Sequence, residues 1–242
     1  MGMSSWERAV LALITVAVVT VLVLIVGKRR ERLRGLALVT ATLTFVLIVL
    51  GAFVRLSDAG LGCPDWPGCY GEFTPTLARD AIESAAAQAP QGPVSMHKAW
   101  KEMGHRYLAM FVGCLILALA VSATRLRAAR SSPVLAWSLV VVVCFQALLG
   151  AWTVTWLLKP AIVTLHLLGG MTTLGLLAWY AQRVGSTQTN AQWMTLRLPA
   201  RLALGALIVQ LALGGWVSTN YAAAACGELP LCQDALLPPM DF

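Results

Sequence analysis

Long apolar runs alternate with short charged or turn-rich segments along this chain. Six runs, over residues 9–26, 35–54, 104–124, 134–157, 161–181 and 201–217, are each long enough to cross a bilayer as a helix, which takes roughly 20 residues. One such run also suits the buried core helix of a soluble protein; six in succession do not. In lipid the backbone must satisfy its own hydrogen bonds, so helices are the expected elements. The pattern predicts an all-α fold, a polytopic membrane helix bundle with about six transmembrane helices.

Composition agrees with lipid as the solvent. Hydrophobic residues make up 58% of the chain and charged ones 12%, about half the charged share usual in soluble domains, and mean hydropathy is +0.74. The net charge of +7 is unevenly placed. Segments 27–34, 125–132 and 183–201 hold eleven of the 18 Lys and Arg residues, with Glu31 as their one counter-charge. Basic loops are cytoplasmic, so the N-terminus, the 55–103 loop, the Lys159-Pro160 turn and the C-terminal tail are expected on the outer face. The positive charge is thus a topology signal. It makes no case for nucleic acid, because no basic patch is interleaved with aromatics on a soluble face. The run at 9–26 has the reverse of a signal peptide's flanks: Glu7 and Arg8 cancel before it, and five basic residues follow at 28–34. It reads as a retained anchor.

One segment is written twice. Gly51-Ala52-Phe53-Val54-Arg55 through Cys63-Pro64-Asp65-Trp66-Pro67-Gly68-Cys69 recurs, eroded, as Gly214-Gly215-Trp216-Val217-Ser218 through Cys226-Gly227-Glu228-Leu229-Pro230-Leu231-Cys232, at a constant offset of 163 residues. Both copies lie where an apolar run gives way to a loop, which marks a duplicated architecture. The expected organisation has three parts. Residues 1–34 form an extra N-terminal membrane anchor and basic cytoplasmic loop, and 35–183 a four-helix bundle with the outer loop 55–103. Residues 184–242 form a linker with the first helix and outer loop of an incomplete second bundle.

The outer segments hold two close cysteine pairs, Cys63/Cys69 and Cys226/Cys232, each spanning turn-forming residues. An oxidising compartment favours two disulfides. Zinc would lack nearby histidine ligands, and no Cys-x-x-Cys-His heme-attachment motif occurs. Cys114 and Cys144 fall inside apolar runs and read as small apolar filler. Within the 55–103 loop, Thr76 is the expected N-cap of a short Ala-rich helix over 77–88, ended by the break Ala89-Pro90-Gln91-Gly92-Pro93.

The three histidines differ in setting. His97 lies in the loop and reads as solvated surface. His105 stands at the outer start of the third run and His166 six residues into the fifth. Both helices begin on the outside, so both imidazoles sit within about two turns of the outer boundary. Two intramembrane histidines at matched depth suit a bis-imidazole heme, whose iron takes one nitrogen from each face. Interhelical hydrogen bonding is the other role open to them. Gly169-Gly170 would let a flat macrocycle approach the backbone, with Trp152 and Trp156 nearby. Glu102 lies one turn from His105 on the same face. A carboxylate in apolar surroundings is a functional candidate, whereas an ion pair with Arg106 or Lys98 would make it structural.

These segments resemble the heme A synthases, membrane enzymes that oxidise a methyl group of heme O to a formyl. The resemblance is carried by Gly51-Ala52-Phe53-Val54-Arg55, Gly60-Leu61-Gly62-Cys63-Pro64-Asp65-Trp66-Pro67, Glu102-x-x-His105-Arg106, Leu158-Lys159-Pro160 with His166, and Gly214-Gly215-Trp216-Val217-Ser218-Thr219. It implies two pseudo-symmetric four-helix bundles, the first taking heme O as substrate and the second holding heme b as cofactor. It implies that His105 and His166 face the substrate iron, that Glu102 is the catalytic carboxylate, and that Cys63–Cys69 is the loop disulfide. It further implies a multi-pass protein of the bacterial inner (plasma) membrane, with the lipid bilayer and a heme O synthase as surroundings and supplier. The 163-residue offset places the second histidine pair beyond residue 242, so the chain alone is expected to bind heme weakly without turnover. A b-type cytochrome would use the same histidines without Glu102, and an assembly subunit would use them as interhelical glue. Homo-oligomerisation is left open by the sequence.

Overall fold

The computed structural model describes residues 28–126, 132–185 and 197–222. Six helices occupy them: α1 (Arg29–Leu56), α2 (Arg79–Gln88), α3 (Met96–Leu126), α4 (Pro133–Thr155), α5 (Pro160–Gly185) and α6 (Arg197–Thr219). All but α2 are long and apolar enough to cross a membrane, giving five spans, and no strand occurs among the described residues. The all-α, polytopic reading therefore holds, and this is an integral membrane protein. The apolar run at 9–26 and the pair Cys226/Cys232 lie outside the described residues.

The helix starts follow from local chemistry. Ser132 accepts the Leu135 N–H at 3.3 Å and Pro133 takes the first helical position, where its missing N–H costs nothing. Pro160 opens α5 in the same way. Between α4 and α5 the chain turns in four residues, with Leu157 and Leu158 both left-handed at φ 52° and 60°. Such backbone costs a non-glycine residue roughly 1–2 kcal/mol. The turn is held by the Leu158 N–H donating to Thr153 O at 2.7 Å, and the Leu158 side chain lies against Gly60.

Two of the expected bounds move. The third span begins at Met96 rather than 104, because Ser95 caps it: its hydroxyl accepts the Lys98 N–H at 3.3 Å. His97 is thus in the first turn of α3, exposed, instead of in the loop. The short helix begins at Arg79, and Thr76 does not cap it. The Leu77 and Ala78 N–H groups instead donate to Thr74 O, forming a turn that delays the helix.

The chain divides into two compact units, and α1, α3, α4 and α5 each contribute to both. One unit, which among the described residues covers 28–46, 109–126, 132–143 and 173–185, includes small buried side chains, among them Ala37, Ala120, Ala123, Ala136 and Ala181, which let helices approach closely in lipid. Its threonines return their hydroxyls to their own helix, Thr40 to Leu36 O and Thr44 to Thr40 O, each at 2.7 Å. Trp137 donates to Thr124 at 3.1 Å, so few polar groups are left facing hydrocarbon.

The other unit, which among the described residues covers 47–108, 144–172 and 197–222, contains the loop with Cys63 and Cys69, and Glu102, His105 and His166. Its loop has a core of its own: Cys63, Cys69, Ala78 and Ile82 pack with Ala99 and Met103 of α3. Cys63 and Cys69 are joined by a disulfide, which leaves them no thiolates for zinc. The Asp65 carboxylate accepts the N–H groups of Tyr70 and Gly71 at 2.6 and 2.7 Å, fixing the ring's inner turn. Partial burial, and then the Asp65 charge, raise the Tyr70 hydroxyl above its usual pKa. Cys114 and Cys144 are unpaired and exposed on α3 and α4 instead of filling the interior, because each falls on an outward helix face.

Gly62 is where the loop touches α3. A Cβ there would stand 2.7 Å from Ala99 N and 2.8 Å from the Lys98 carbonyl carbon, backbone atoms that cannot swing aside. Gly62→Ala is expected to destabilise the protein by about 1–3 kcal/mol. Gly104→Ala, with nothing within 4 Å of its added methyl, is expected to be neutral or slightly stabilising. Thermal unfolding of both variants in detergent checks the contrast.

Candidate functional site

His105 and His166 come from α3 and α5, and each imidazole packs against a glycine of another helix. A Cβ on Gly51 of α1 would stand 3.0 Å from His105 Cε1, and one on Gly150 of α4 would stand 3.4 Å from His166 Cε1. The paired contacts have a simple cause: a ring cannot lie flat against a helix backbone unless the facing residue lacks a side chain. Gly51 and Gly150, rather than Gly169-Gly170, make this room. Gly169 is covered by the Gln146 amide, and Gly170 faces Ile48.

One nitrogen of each imidazole is without a partner, although the His166 ring also interacts with the Gln146 main chain. Nδ1 of His105 and Nδ1 of His166 are buried without a hydrogen bond, as are Gln146 Nε2 and Thr164 Oγ1 of the same unit. A buried polar atom without a partner costs about 1–3 kcal/mol. Two such nitrogens from facing helices form a donor set suited to iron. No group of three or more His, Cys, Asp or Glu side chains converges as a metal site among the described residues. Two imidazoles from two helices are the donor set that would hold a heme iron.

Glu102 is almost fully buried, and both of its oxygens are engaged. Oε2 accepts the Cys63 N–H at 2.9 Å, and Oε1 accepts Arg106 Nη2 at 2.5 Å. Nη1 of Arg106 donates to three loop carbonyls, Asp65 O at 2.7 Å, Gly68 O at 2.5 Å and Pro67 O at 3.4 Å. Arg106 and Glu102 thus clamp the disulfide loop to α3, one turn from His105. The sequence offered Arg106 only as an ion-pair partner. That it also reads the loop backbone was not visible there, since backbone carbonyls carry no residue signature.

The stacked pair Trp152 and Trp156 lies on α4 and the turn after it, with ring centroids 5.2 Å apart. The ends of α1 and α6 also meet. Arg55 donates to Ser218 O at 2.8 Å and lies 4.0 Å over the Tyr221 ring, and Tyr221 donates to Asp58 at 3.0 Å. Both hydrogen bonds join residues 163 apart, the offset of the repeated segment. Gly215 of α6 packs on Leu167 and Thr164 beside His166.

The fold and site thus define a polytopic helical membrane protein that brings two helix-borne histidines together beneath a disulfide-closed loop. The chain belongs to the cytochrome oxidase assembly protein family, which its residues 34–242 match. It is similar to the heme A synthase of Shewanella oneidensis, 40% identical over 205 residues that cover 84% of this chain and 62% of that protein. The heme A synthase of Alkalihalophilus pseudofirmus is 27% identical over 217 residues, 86% of this chain and 67% of its own. That of a Caulobacter species is 33% identical over 160 residues, 65% of this chain and 44% of its own. The chain spans about three fifths of the length of several curated relatives that it matches. No solved structure matches it at a significant level.

Proposed function

We propose that this chain carries the heme O site of a heme A synthase, the activity that oxidises a methyl group of heme O to the formyl of heme A. The chain spans about three fifths of its relatives' length, and by itself it is expected to bind heme weakly without efficient turnover. The observation that carries the reading is the pair of buried, partner-short imidazoles, each lying on a helix glycine, in a chain whose relatives are heme A synthases. His105 and His166 hold the substrate by its iron and fix its plane. Heme O, rather than heme b, is the proposed occupant of this site.

Converting a methyl to a formyl adds one oxygen and removes four electrons (R–CH3 + H2O → R–CHO + 4 H+ + 4 e−), so it needs an oxygen donor such as water and an external electron acceptor. Heme iron, when bound, would supply the redox chemistry that links them. The protein's part is to orient that carbon and to take up a proton. Glu102, one turn from His105, is the proposed proton acceptor. Its ion pair with Arg106 also gives it the structural role that the sequence left open, and a variant without the charge separates the two. Two hydrogen bonds hold Glu102 in one orientation, and general acid–base groups of this kind contribute about 10²–10⁴-fold. The disulfide favours an oxidising compartment, so the loop faces outward from the bacterial plasma membrane. A lipid-borne supplier such as a heme O synthase delivers the substrate from the bilayer.

Glu102→Gln keeps an acceptor for the Cys63 N–H and removes the carboxylate. The expected result is an unchanged heme spectrum with heme A formation lowered at least about 100-fold, measured by extracting hemes from membranes that contain heme O. A variant that keeps both heme and full conversion would remove Glu102 from the chemistry.

A further inference from the structure

A cleft of about 270 Å³ opens in the unit that holds both histidines, lined among others by Arg55, Asp58, Gly60, Lys98, Leu158 and Tyr221. We propose that it seats the propionate carboxylates of the bound porphyrin, with Lys98 and Arg55 as their counter-charges. The proposal rests on the heme reading above.

The cleft belongs to the elements that position the imidazoles. Arg55 lies one turn beyond Gly51, the residue on which His105 packs. Lys98 lies seven residues before His105 in α3. That spacing puts it on the same helix face and roughly 10 Å toward the helix start. Leu158, which closes the cleft over Gly60, lies in the turn that leads into α5, the helix of His166. A porphyrin seated between the two rings therefore has this cleft within reach of one edge. Its carboxylates are the groups that apolar surroundings tolerate least, since an unpaired charge taken out of water is costly.

The charges in the cleft are arranged for an anion. Arg55 is fixed by Ser218 O at 2.8 Å, by the Tyr221 ring at 4.0 Å and by Asp58 at 3.7 Å. Asp58 is the one acidic residue lining the cleft, and its carboxylate is already engaged by Arg55 and by the Tyr221 hydroxyl. Lys98 differs: among the described residues, no carboxylate lies within ion-pair distance of its ammonium. The cleft thus offers one anchored cation and one uncommitted cation. Charge-assisted bonds to carboxylate are stronger than neutral ones, so a dicarboxylate edge is the ligand this pairing favours.

The test titrates hemin and hemin dimethyl ester, whose carboxylates are blocked, into the full chain in detergent, following the Soret band. Hemin is expected to bind at least about tenfold more tightly than the diester. Lys98→Gln is expected to lower hemin affinity about fivefold and leave diester affinity unchanged, with Lys98→Arg restoring most of the loss. Equal affinity for the two porphyrins in the native chain, or an equal loss for both in Lys98→Gln, overturns the proposal. If both porphyrins still give low-spin spectra in that case, the histidine reading stands without it. No low-spin complex with either porphyrin overturns both.

Discussion

Replacing His105 or His166 by alanine is expected to turn a six-coordinate, low-spin ferric heme complex into a high-spin one and to lower heme affinity by about two orders of magnitude. The expectation follows from the geometry. The two imidazoles come from different helices, and the iron needs one nitrogen from each, so either truncation removes half of the axial field. The same variants separate ligation from interhelical glue. A histidine serving as glue would leave its partner unsatisfied when truncated, at about 1–3 kcal/mol. Neither Nδ1 has a protein partner to lose. Without heme, His105→Ala and His166→Ala should therefore unfold within about 1–2 kcal/mol of the native chain, despite the small cavity each creates. Optical titration with hemin and thermal unfolding of the heme-free protein measure the two quantities independently.

The largest loss of stability is expected at Arg106. Its guanidinium serves Glu102 and three loop carbonyls at once. Arg106→Ala leaves a buried carboxylate without its counter-charge, a change that typically costs about 3–5 kcal/mol and for a chain of this size lowers Tm by roughly 10 °C. Arg106→Lys should recover only a minor part, because one ammonium cannot reproduce the planar fork that reaches carboxylate and carbonyls together. Adding Glu102→Gln to Arg106→Ala should cost less than the two changes summed, since the second substitution removes the charge that the first left unpaired. Strict additivity in that cycle would show that the two residues do not act as a unit.

Much of this arrangement was legible in the chain. The helices were readable because a bilayer admits few alternatives for an apolar run of about 20 residues. Glu102, His105 and His166 were readable because polar groups in such runs are rare and costly. Local chemistry hid other features. Ser95 moved the start of α3 back to Met96, turning His97 from a loop residue into a helical one. The turn at Thr74 displaced the cap expected from Thr76. The glycines next to the imidazoles were hardest to identify. Gly51 stood out as part of a repeat and Gly150 not at all, because a glycine's partner across a helix interface is set by tertiary packing. Gly169-Gly170, the more conspicuous pair, is covered by Gln146 and Ile48. Arg106's grip on the loop was likewise invisible, since its acceptors are main-chain carbonyls.

The central claim is that the His105 and His166 imidazoles hold a heme iron between them, with heme O as the substrate. Its most direct test is to produce the full chain in membranes that contain heme O, purify it in detergent, record oxidised and reduced spectra, and identify the extracted heme as its pyridine hemochrome. Low-spin bands, heme O or heme A in the extract, and loss of those bands when both histidines are replaced by alanine are the expected results. A purified chain with no heme, or one whose bands survive the double replacement, would contradict the claim.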